Sequence, residues 1–283
     1  MSALRRGRFG LIYWWRHGRW PALASPRRFT ELVQWRKLND RDPARARLTD
    51  KAHSKRIAAA ALGDVFIIPT LWEGDLLPEA APWPLPFVVK ANHGCDQTLI
   101  VRTLADYRRA RGIAPLWLAR AYGGWLDEWH YRGARRSILV EPYIGALETL
   151  PIDYKIYVFG GRAAMVQVHD GRGVRHRWSQ YGRDWGRLSK EGTVAAPHSL
   201  AAMLGAAERL GQGHDFLRVD FYEVDGQPLF GEFCLYPGSG LDPFDPPTLD
   251  DWLGAQWSAQ SQEGLAGAGR GRLASSGLEP QLG

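Results

Sequence analysis

Apolar positions near the N-terminal end of the chain recur at helical spacing and then give way to short apolar runs. Phe29–Asp40 repeats its apolar side chains every three or four residues, which predicts a short amphipathic helix. A second helix is predicted over Ala44–Leu62, with Gly63 as its stop. Val65–Pro69 is short, apolar and β-branched, and it predicts a buried strand.

The middle of the chain has the pattern of a sheet covered by helices. Apolar runs at Phe87–Lys90, Thr98–Arg102 and Ser137–Ile144 predict three strands. A helix capped by Thr103 is predicted after the second strand, because a threonine side chain accepts from free N–H groups of a first helical turn. Amphipathic Pro115–Tyr131 predicts a second helix on the same sheet.

Two hairpins are predicted in the C-terminal half, each from two apolar-rich runs around a turn that tolerates positive φ. The first joins Asp153–Phe159 to Arg162–His169 through a Gly-Gly turn. The second joins Phe216–Val224 to Pro228–Tyr236 through Asp225-Gly226. This second hairpin also carries the most informative charged residues of the chain.

The structure of the remaining segments is predicted from their amino-acid composition or from the spacing of their apolar residues. Proline-rich Trp72–Pro86 is predicted to connect two lobes, and Asp170–Gly192, rich in glycine, arginine and tryptophan, is predicted to be a functional loop. Helices are predicted at Ser199–Leu210 and Thr248–Trp257. Residues 258–283 have the composition of a disordered tail.

Composition bounds the class of protein. The 283 residues include 45% hydrophobic and 23% charged side chains, which is typical of a globular protein. The formal net charge of +6 favours an anionic partner such as a nucleotide, a polyanion or a membrane surface. Only Cys95 and Cys234 are cysteines, which argues against a disulfide framework or a thiolate zinc site and favours a cytoplasmic setting.

The N-terminal segment admits two interpretations. It places Tyr13, Trp14 and Trp15 beside arginines, a combination that suits a membrane interface. A helix packed on the folded body is the alternative that we favour. No apolar run approaches 18 residues, so no transmembrane helix is predicted, and any contact with the inner face of the membrane is expected to be peripheral.

The second hairpin presents two carboxylates and a guanidinium within an apolar pattern. Arg218 and Asp220 share a strand face because side chains alternate along a strand. Buried carboxylates are costly unless cations or hydrogen bonds compensate for their lost hydration. Magnesium takes one or two carboxylates together with phosphates and water, so Asp220 and Glu232 are candidate metal ligands. The alternative interpretation is a solvent-facing polar strand edge.

Two lysines and one strand end suit a nucleotide. Lys90 ends a predicted strand before the polar loop Asn92-His93-Gly94, whose backbone N–H groups can help to hold a phosphate. Lys51 is a second candidate, and the alternative for each lysine is a solvated surface charge. The strand end at Glu141-Pro142 suits adenine recognition by free backbone groups, although a plain edge strand ends in the same way. No GxxxxGK[ST] motif is present, which excludes a P-loop.

Taken in order, these motifs resemble the ATP-grasp superfamily, and more closely its TupA-like branch, named for teichuronopeptide biosynthesis. The resemblance spans Leu32 to Trp252. The motifs that carry it are DRDP at Asp40–Pro43, TDK at Thr49–Lys51, VVKANHG at Val88–Gly94, DYK at Asp153–Lys155, RVDFY at Arg218–Tyr222 and GEFCLYPGSGL at Gly231–Leu241.

The resemblance implies an α+β ATP-grasp fold, in which two α+β lobes close on a nucleotide between antiparallel sheets. The expected parts are an N-terminal helical and basic segment with the first lobe at 1–80, a central ATP-grasp lobe at 81–145, a C-terminal lobe with the metal site at 146–257, and the tail. The expected cofactors are ATP and Mg²⁺.

The resemblance also implies a role for each matching residue. The expected nucleotide contacts are Lys51, Lys90, His93, Gly94, Glu141, Pro142, Tyr143 and Ile144. The expected metal ligands are Asp220 and Glu232, and the expected catalytic residues are Arg218 and Lys155. The expected substrate-binding residues are Asp153, Pro237, Gly238, Ser239 and Gly240. Cys234 stands where many ATP-grasp enzymes have an asparagine ligand, and a neutral thiol is a poor ligand for magnesium.

The function implied is an ATP-dependent carboxylate–amine ligase that works through an acyl phosphate in cell-envelope or extracellular polysaccharide biosynthesis. Its expected partners are a small-molecule or glycan-linked carboxylate and an amine acceptor, with no nucleic acid. The arginines of Arg172–Arg187 are expected to suit an anionic acceptor. The alternatives are a kinase acting on a sugar or glycan precursor and a non-catalytic scaffold of the same fold.

Overall fold

The computed structural model describes residues 3–146, 150–171, 176–190 and 192–258. The helices are α1 (Ala3–His17), α2 (Phe29–Asn39), α3 (Pro43–Ala46), α4 (Lys51–Leu62), α5 (Leu104–Leu118), α6 (Leu200–Gly211) and α7 (residues 248–258). The strands are β1 (Trp72–Gly74), β2 (Phe87–Ala91), β3 (Thr98–Val101), β4 (Ile138–Pro142), β5 (Asp153–Phe159), β6 (Arg162–Asp170), β7 (Arg177–Gly182), β8 (Phe216–Val224) and β9 (Gln227–Cys234). Helices packed on antiparallel sheets confirm the predicted α+β class.

The smaller sheet has the strand order β1-β4-β2-β3, and all of its pairs are antiparallel. Along β2, Phe87, Val89 and Ala91 are buried in one core with side chains of α5. Because side chains alternate across a strand, Val88 and Lys90 point to the opposite face. One face of this sheet is therefore covered, and the other carries the candidate chemistry.

The larger sheet has the strand order β7-β6-β5-β8-β9, also antiparallel. Ile156 of β5 and Val219 of β8 are fully buried in the main core, which includes side chains of α6. Lys155 and Asp220 flank these core residues in sequence and face the other way. Each sheet thus turns a polar face away from its own covering helix.

Both predicted hairpins are confirmed. In the second, Asp225 and Gly226 adopt φ of 51° and 74°, as a two-residue turn of this kind requires, and Val224 pairs with Gln227 across it. The helices predicted at Phe29–Asp40, Ser199–Leu210 and Thr248–Trp257 are confirmed within a residue or so.

The prediction of one helix over Ala44–Leu62 is wrong. The chain instead forms α3, a 3₁₀ turn at Arg47–Thr49, and α4. Asp50 separates the last two because its Oδ1 accepts from the backbone N–H of His53 at 2.9 Å, which caps a new helix.

Pro115–Tyr131 is also wrongly predicted as a second helix. α5 runs through Pro115 and ends at Leu118. The positive φ of Gly123 and of Asp127 then turns the chain, and only a 3₁₀ segment at Trp129–Gly133 follows.

Three shorter predictions miss a local feature. Val65–Pro69 makes a 3₁₀ turn and a single bridge, between Ile67 and Phe230, in place of a strand. The connection at Trp72–Pro86 contains the edge strand β1, and the loop at Asp170–Gly192 contains β7. Of the predicted tail, 259–283 lie outside the described residues.

The N-terminal helix packs on the folded body through the buried side chains of Phe9 and Tyr13. Arg8 bridges Asp127 at 2.9 Å, which ties the helix to the turn before the 3₁₀ segment. Trp14 and Trp15 are exposed, and their contact with a membrane stays a prediction. Within the described residues no helix is both long and apolar enough to cross a bilayer. The four-part domain division also stays a prediction.

Arg36 anchors α2 to β8 and to α7. Its side chain is 1% exposed, donates to the carbonyl of Phe216 at 3.1 Å and to Asp215 at 2.6 Å, and lies over the ring of Trp257 at 4.3 Å. Removing one partner of a buried ion pair leaves the other poorly compensated. The packing of α2 and α7 against the larger sheet therefore depends on this guanidinium.

Replacing Arg36 by leucine is expected to lower the free energy of unfolding by about 3 kcal/mol, measured by urea denaturation. Arg108→Leu, at an exposed position of α5, is the matched control and is expected to change it by less than about 0.5 kcal/mol. Equal effects of the two variants would contradict this role of Arg36.

Candidate active site

A cavity of about 600 Å³ lies between the polar faces of the two sheets. The smaller sheet contributes Lys90 and Glu141, and the larger sheet contributes Lys155 and Glu232. The predicted site residues that line it are Lys51, Lys90, Gly94, Glu141, Pro142, Tyr143, Ile144, Asp153, Lys155 and Glu232. Residues distant in sequence thus share one cleft, as expected for a site between two lobes.

The centre of the site on the larger sheet is the buried carboxylate of Asp220. Arg218 donates through Nε to Asp220 Oδ1 and through Nη2 to Oδ2, both at 2.7 Å. Lys155, opposite Asp220 on the neighbouring strand, donates to Oδ2 at 2.8 Å. Lys155 also bridges Asp153 at 2.5 Å. The carboxylates are therefore compensated by hydrogen-bonded cations, as burial of charge requires.

These contacts fix the charge of both cations. Burial alone would lower the pKa of the Lys155 ammonium, but Asp153 and Asp220 outweigh it and hold that pKa above its ordinary value. Burial likewise acts to lower the pKa of Arg218, and Asp220 again reverses the effect. Both side chains are therefore cations at neutral pH, ready to face an anionic group.

A β-bulge brings Glu232 to the same face as Asp220. Between the turn and the pair of Phe221 with Phe230, the two strands pair residue by residue. The next pair joins Asp220 to Glu232, so Gly231 has no partner and is the extra residue of the bulge. Without this extra residue Glu232 would stand opposite Val219 and point into the core. A Cβ at Gly231 would lie 3.1 Å from the Asp220 carbonyl, so the close approach favours glycine.

Lys51 links this face to the loop after β2. Its Nζ lies 3.0 Å from Glu232 and donates to the Gly94 carbonyl at 2.6 Å. Burial acts to raise the pKa of Glu232, but Lys51 outweighs it and the net pKa is lowered. Glu232 is therefore ionised at neutral pH, and 28% of its side chain is exposed.

Lys55 is a site residue that the sequence analysis missed. Glu141 is buried and bridges Lys90 at 2.6 Å and Lys55 through its other oxygen. Lys55 follows Lys51 by one helical turn of α4, so the two lysines share a face. That spacing is the signal that could have found it. Two lysines share one carboxylate here, which leaves an excess of one positive charge for an anionic ligand.

The strand end at Glu141 has the open backbone edge that was expected of a hinge. β1 pairs with β4 only from Ile138 to Val140, and no described strand pairs with that edge farther on. Pro142, Tyr143 and Ile144 continue along the cavity wall. Adenine recognition by this segment stays a prediction.

Seven predicted residues do not line this cavity, and tertiary contacts turn three of them away from it. His93 is buried, and its Nε2 lies 3.1 Å from the carbonyl of Trp117, so it holds α5. Ser239 and Gly240 turn their carbonyls to α2, where Gln34 donates to both, at 2.8 and 3.1 Å. Ser239 reaches this position with a φ of 56°.

Three more predicted residues line a second, smaller cavity, and Asp220 lines neither cavity. Pro237 and Gly238 form part of its wall, and Arg218 forms another part. Arg218 therefore stands between the two cavities, with its carboxylate partner Asp220 beside it. The loop of Pro237–Gly240 is divided between this cavity and the interface with α2.

Asp220 and Glu232 fit a magnesium ion only if a substrate completes its shell. They are hard oxygen donors, opposite each other in register on one sheet face, as magnesium sites use. Cys234 is buried, which raises the pKa of its thiol to about 11, so it does not supply a third ligand. Among the described residues no group of three metal-ligating side chains occurs. Phosphate oxygens and water are the expected additional ligands.

Two arginines of the segment before α6 are engaged in ion pairs. Arg177 bridges Asp170 at 2.7 Å, and Arg183 bridges Glu208 at 3.2 Å. Residues 172–175 lie outside the described residues. Binding of an anionic acceptor by this segment stays a prediction.

The sequence profile of the family described as TupA-like ATPgrasp matches residues 31–258. A comparison with curated proteins finds no match. Among solved structures, the chain is similar to a D-alanine–D-alanine ligase from Bacillus anthracis complexed with ATP, at 14% identity and a TM-score of 0.47 over 76% of this chain and 65% of that one. It is also similar to an L-amino acid ligase from Bacillus licheniformis, at 15% identity and a TM-score of 0.44 over 69% of this chain and 42% of that one.

A third similar structure is a D-cycloserine synthetase, at 18% identity and a TM-score of 0.46 over 77% of this chain and 71% of that one. The chain spans less than two thirds of the length of the first two structures.

Because Glu141 is ion-paired, the free energy of unfolding depends on pH in the acid range. Burial acts to raise the pKa of Glu141, but Lys90 and Lys55 outweigh it and the folded-state pKa is lowered. A carboxyl group whose pKa is lower in the folded protein stabilises the fold at pH values above its pKa in the unfolded chain, about 4.3. This stabilisation is lost as the pH falls through the pKa in the folded protein.

Glu141→Gln is therefore expected to lower the free energy of unfolding by about 3 kcal/mol at pH 7. The difference from the wild type should shrink as the pH falls below about 4, when the wild-type carboxyl is protonated too. Glu79→Gln, at an exposed position, is the control in urea denaturation at each pH. A difference that stays constant with pH would contradict the ion-pair account.

Proposed function

The chain belongs to the TupA-like ATP-grasp family, and from that premise we propose that it is an ATP-dependent ligase that joins a carboxylate to an amine. The observation that supports this most is the buried cluster of Arg218, Asp220 and Lys155 next to a cavity between two sheets, which Lys155 and Glu232 line. Such a cleft can hold a nucleotide and bring its terminal phosphate to buried cations.

The lysines of the cavity are placed to hold the nucleotide. Lys90 and Lys51 line the cavity, and Lys51 spans to Glu232. Lys55 of α4 shares the carboxylate of Glu141 with Lys90. A lysine holds a phosphate as a compact point charge. The open strand edge beside Pro142 is the proposed position of the adenine, whose edge needs backbone donors and acceptors.

The proposed chemistry has two steps. An oxygen of the substrate carboxylate attacks the γ-phosphorus of ATP, the bond to the β-phosphate oxygen breaks, and ADP leaves. The amine then attacks the acyl carbon, loses a proton, and releases inorganic phosphate as the amide forms. Arg218 and Lys155 compensate for the charge of the transferring phosphoryl group, because fixed cations in a desolvated site need no reorganisation as the charge moves.

Asp220 and Glu232 would hold magnesium when it is bound. That ion supplies charge neutralisation at the phosphates. The protein's own contribution is to orient both carboxylates: Arg218 fixes Asp220 by a two-point hydrogen bond, and Lys51 fixes Glu232.

The substrates we propose belong to cell-envelope or extracellular polysaccharide biosynthesis, with a glycan-linked or small-molecule carboxylate. The support is the family name, together with the net charge of +6, which favours anionic partners. Cytoplasmic chemistry is consistent with the use of ATP. A sugar kinase and a non-catalytic scaffold on the same fold are the alternatives that the next experiment separates.

Purified protein with magnesium-ATP, screened over amino acids and uronic acids, is expected to release ADP and to give an amide by product mass. Glu232→Gln is expected to reduce kcat about a hundredfold or more, because it removes one of the two carboxylates proposed to hold magnesium at the phosphates. Glu79→Gln is the exposed control.

A phosphate ester as the product would identify a kinase. Nucleotide binding without ADP release, for the wild type and the variant alike, would identify a scaffold. Either result would contradict the proposed ligase.

A further inference from the structure

The second cavity lies on the polar face of the larger sheet, beside the buried cations. It has a volume of about 70 Å³ and is lined by Arg218, Tyr157 and Gln167 of three neighbouring strands. Gln167 stands opposite Lys155 in the ladder, and Tyr157 stands opposite Arg218. The cavity therefore meets the ATP cavity across the cluster of Arg218, Asp220 and Lys155.

Its polar lining consists of buried groups with unused hydrogen-bonding capacity. Gln167 and Gln180 are each 6% exposed and face each other across β6 and β7. Gln167 Oε1 accepts a hydrogen bond from the Tyr157 hydroxyl at 2.7 Å. This bond uses the oxygen of the amide and leaves its NH₂ group available as a donor. No described residue bonds to the side-chain amide of Gln180 or to Nη1 of Arg218. None of these atoms is cut off from solvent, so they are the polar groups of this wall to which a ligand could bond.

His169 adds a further donor or acceptor to the same wall. Its ring stacks on Trp178 at 5.1 Å, and its buried Nε2 has no hydrogen-bond partner among the described residues. Burial, followed by Lys155 and Arg218, lowers the pKa of His169 to about 2, so the ring is neutral. A neutral ring beside buried cations leaves the positive charge of the wall to Arg218.

The chemistry of this wall selects the ligand. Arg218 and the amide of Gln167 present N–H donors, which suit a carboxylate. At about 30 Å³ per water in the liquid, a cavity of this size takes the reacting end of a substrate rather than a whole sugar. The acidic residue of the lining, Asp242, is paired with Arg16 at 3.3 Å, so its charge is already partly compensated. An α-ammonium group would find no free counter-ion among the described lining residues.

Resting on the proposed ligase function, we propose that this cavity receives the carboxylate that ATP activates, and that Gln167 and Gln180 determine its specificity. The preferred class is a carboxylate with a hydroxyl or ether oxygen, and no ammonium group, on its α-carbon. Arg218 would then contact both the carboxylate and the terminal phosphate of ATP from one side, which leaves a carboxylate oxygen free to attack the γ-phosphorus. The exposed face of Trp178 at the cavity wall is available to the remainder of the substrate.

Equilibrium binding tests this without turnover. Glucuronate and glycolate, compared with glycine and alanine, are titrated into the full-length protein in the presence of magnesium and a non-hydrolysable ATP analogue. Gln180→Leu and the isosteric Gln167→Glu are each expected to weaken the binding of glucuronate and glycolate about tenfold or more. Gln180→Leu removes a hydrogen bond, and Gln167→Glu places a negative charge beside the carboxylate. Binding of the ATP analogue should be unchanged. Gln227→Glu, at an exposed position of the same sheet, is the control.

Unchanged carboxylate binding in both variants would overturn the proposal, as would an equal loss of carboxylate and nucleotide binding. Glycine binding as tight as that of glycolate would overturn the assigned class, and so would a wild-type protein that binds none of the four probes. Carboxylate binding that the variants weaken, in a protein that never releases ADP, would support the cavity and refute the ligase.

Discussion

The buried carboxylate of Asp220 is the constraint on which the site depends. Placing it on a sheet face away from water requires compensating charge, and Arg218 and Lys155 supply it from positions that the strand ladder fixes. The same two cations are the groups that can face a phosphoryl group. Stability of the sheet and chemistry of the site therefore use the same contacts, and a change to one of these residues affects both.

The two walls of the cleft are joined through α4. Lys51 and Lys55, one turn apart, reach Glu232 on the larger sheet and Glu141 on the smaller one. Closely spaced charges in a half-buried cleft interact more strongly than they would in water. The helix thus links the two sheets by ion pairs, and an anionic ligand between them would meet an excess of positive charge.

Local alternation predicted much of this arrangement. Period two placed Arg218 and Asp220 on one face, and the Asp-Gly turn placed Glu232 on the adjacent strand. The β-bulge at Gly231 was not visible in the sequence, because it depends on the fit between two strands. Lys55 was missed although it follows Lys51 by one helical turn, because its partner Glu141 lies on a strand distant in sequence. His93 and Ser239 matched family motifs, but tertiary contacts with Trp117 and Gln34 turn them away from the cavity.

We propose that ATP phosphorylates the substrate carboxylate beside the cations of Arg218 and Lys155. An oxygen label tests this most directly. With a carboxylate substrate labelled with ¹⁸O in the carboxyl group, one labelled oxygen should appear in the inorganic phosphate released, as measured by mass spectrometry. Transfer of the label follows from attack by the carboxylate on the γ-phosphorus and later breakage of the acyl carbon–oxygen bond. Phosphate that contains only unlabelled oxygen, released together with an amide product, would contradict the account.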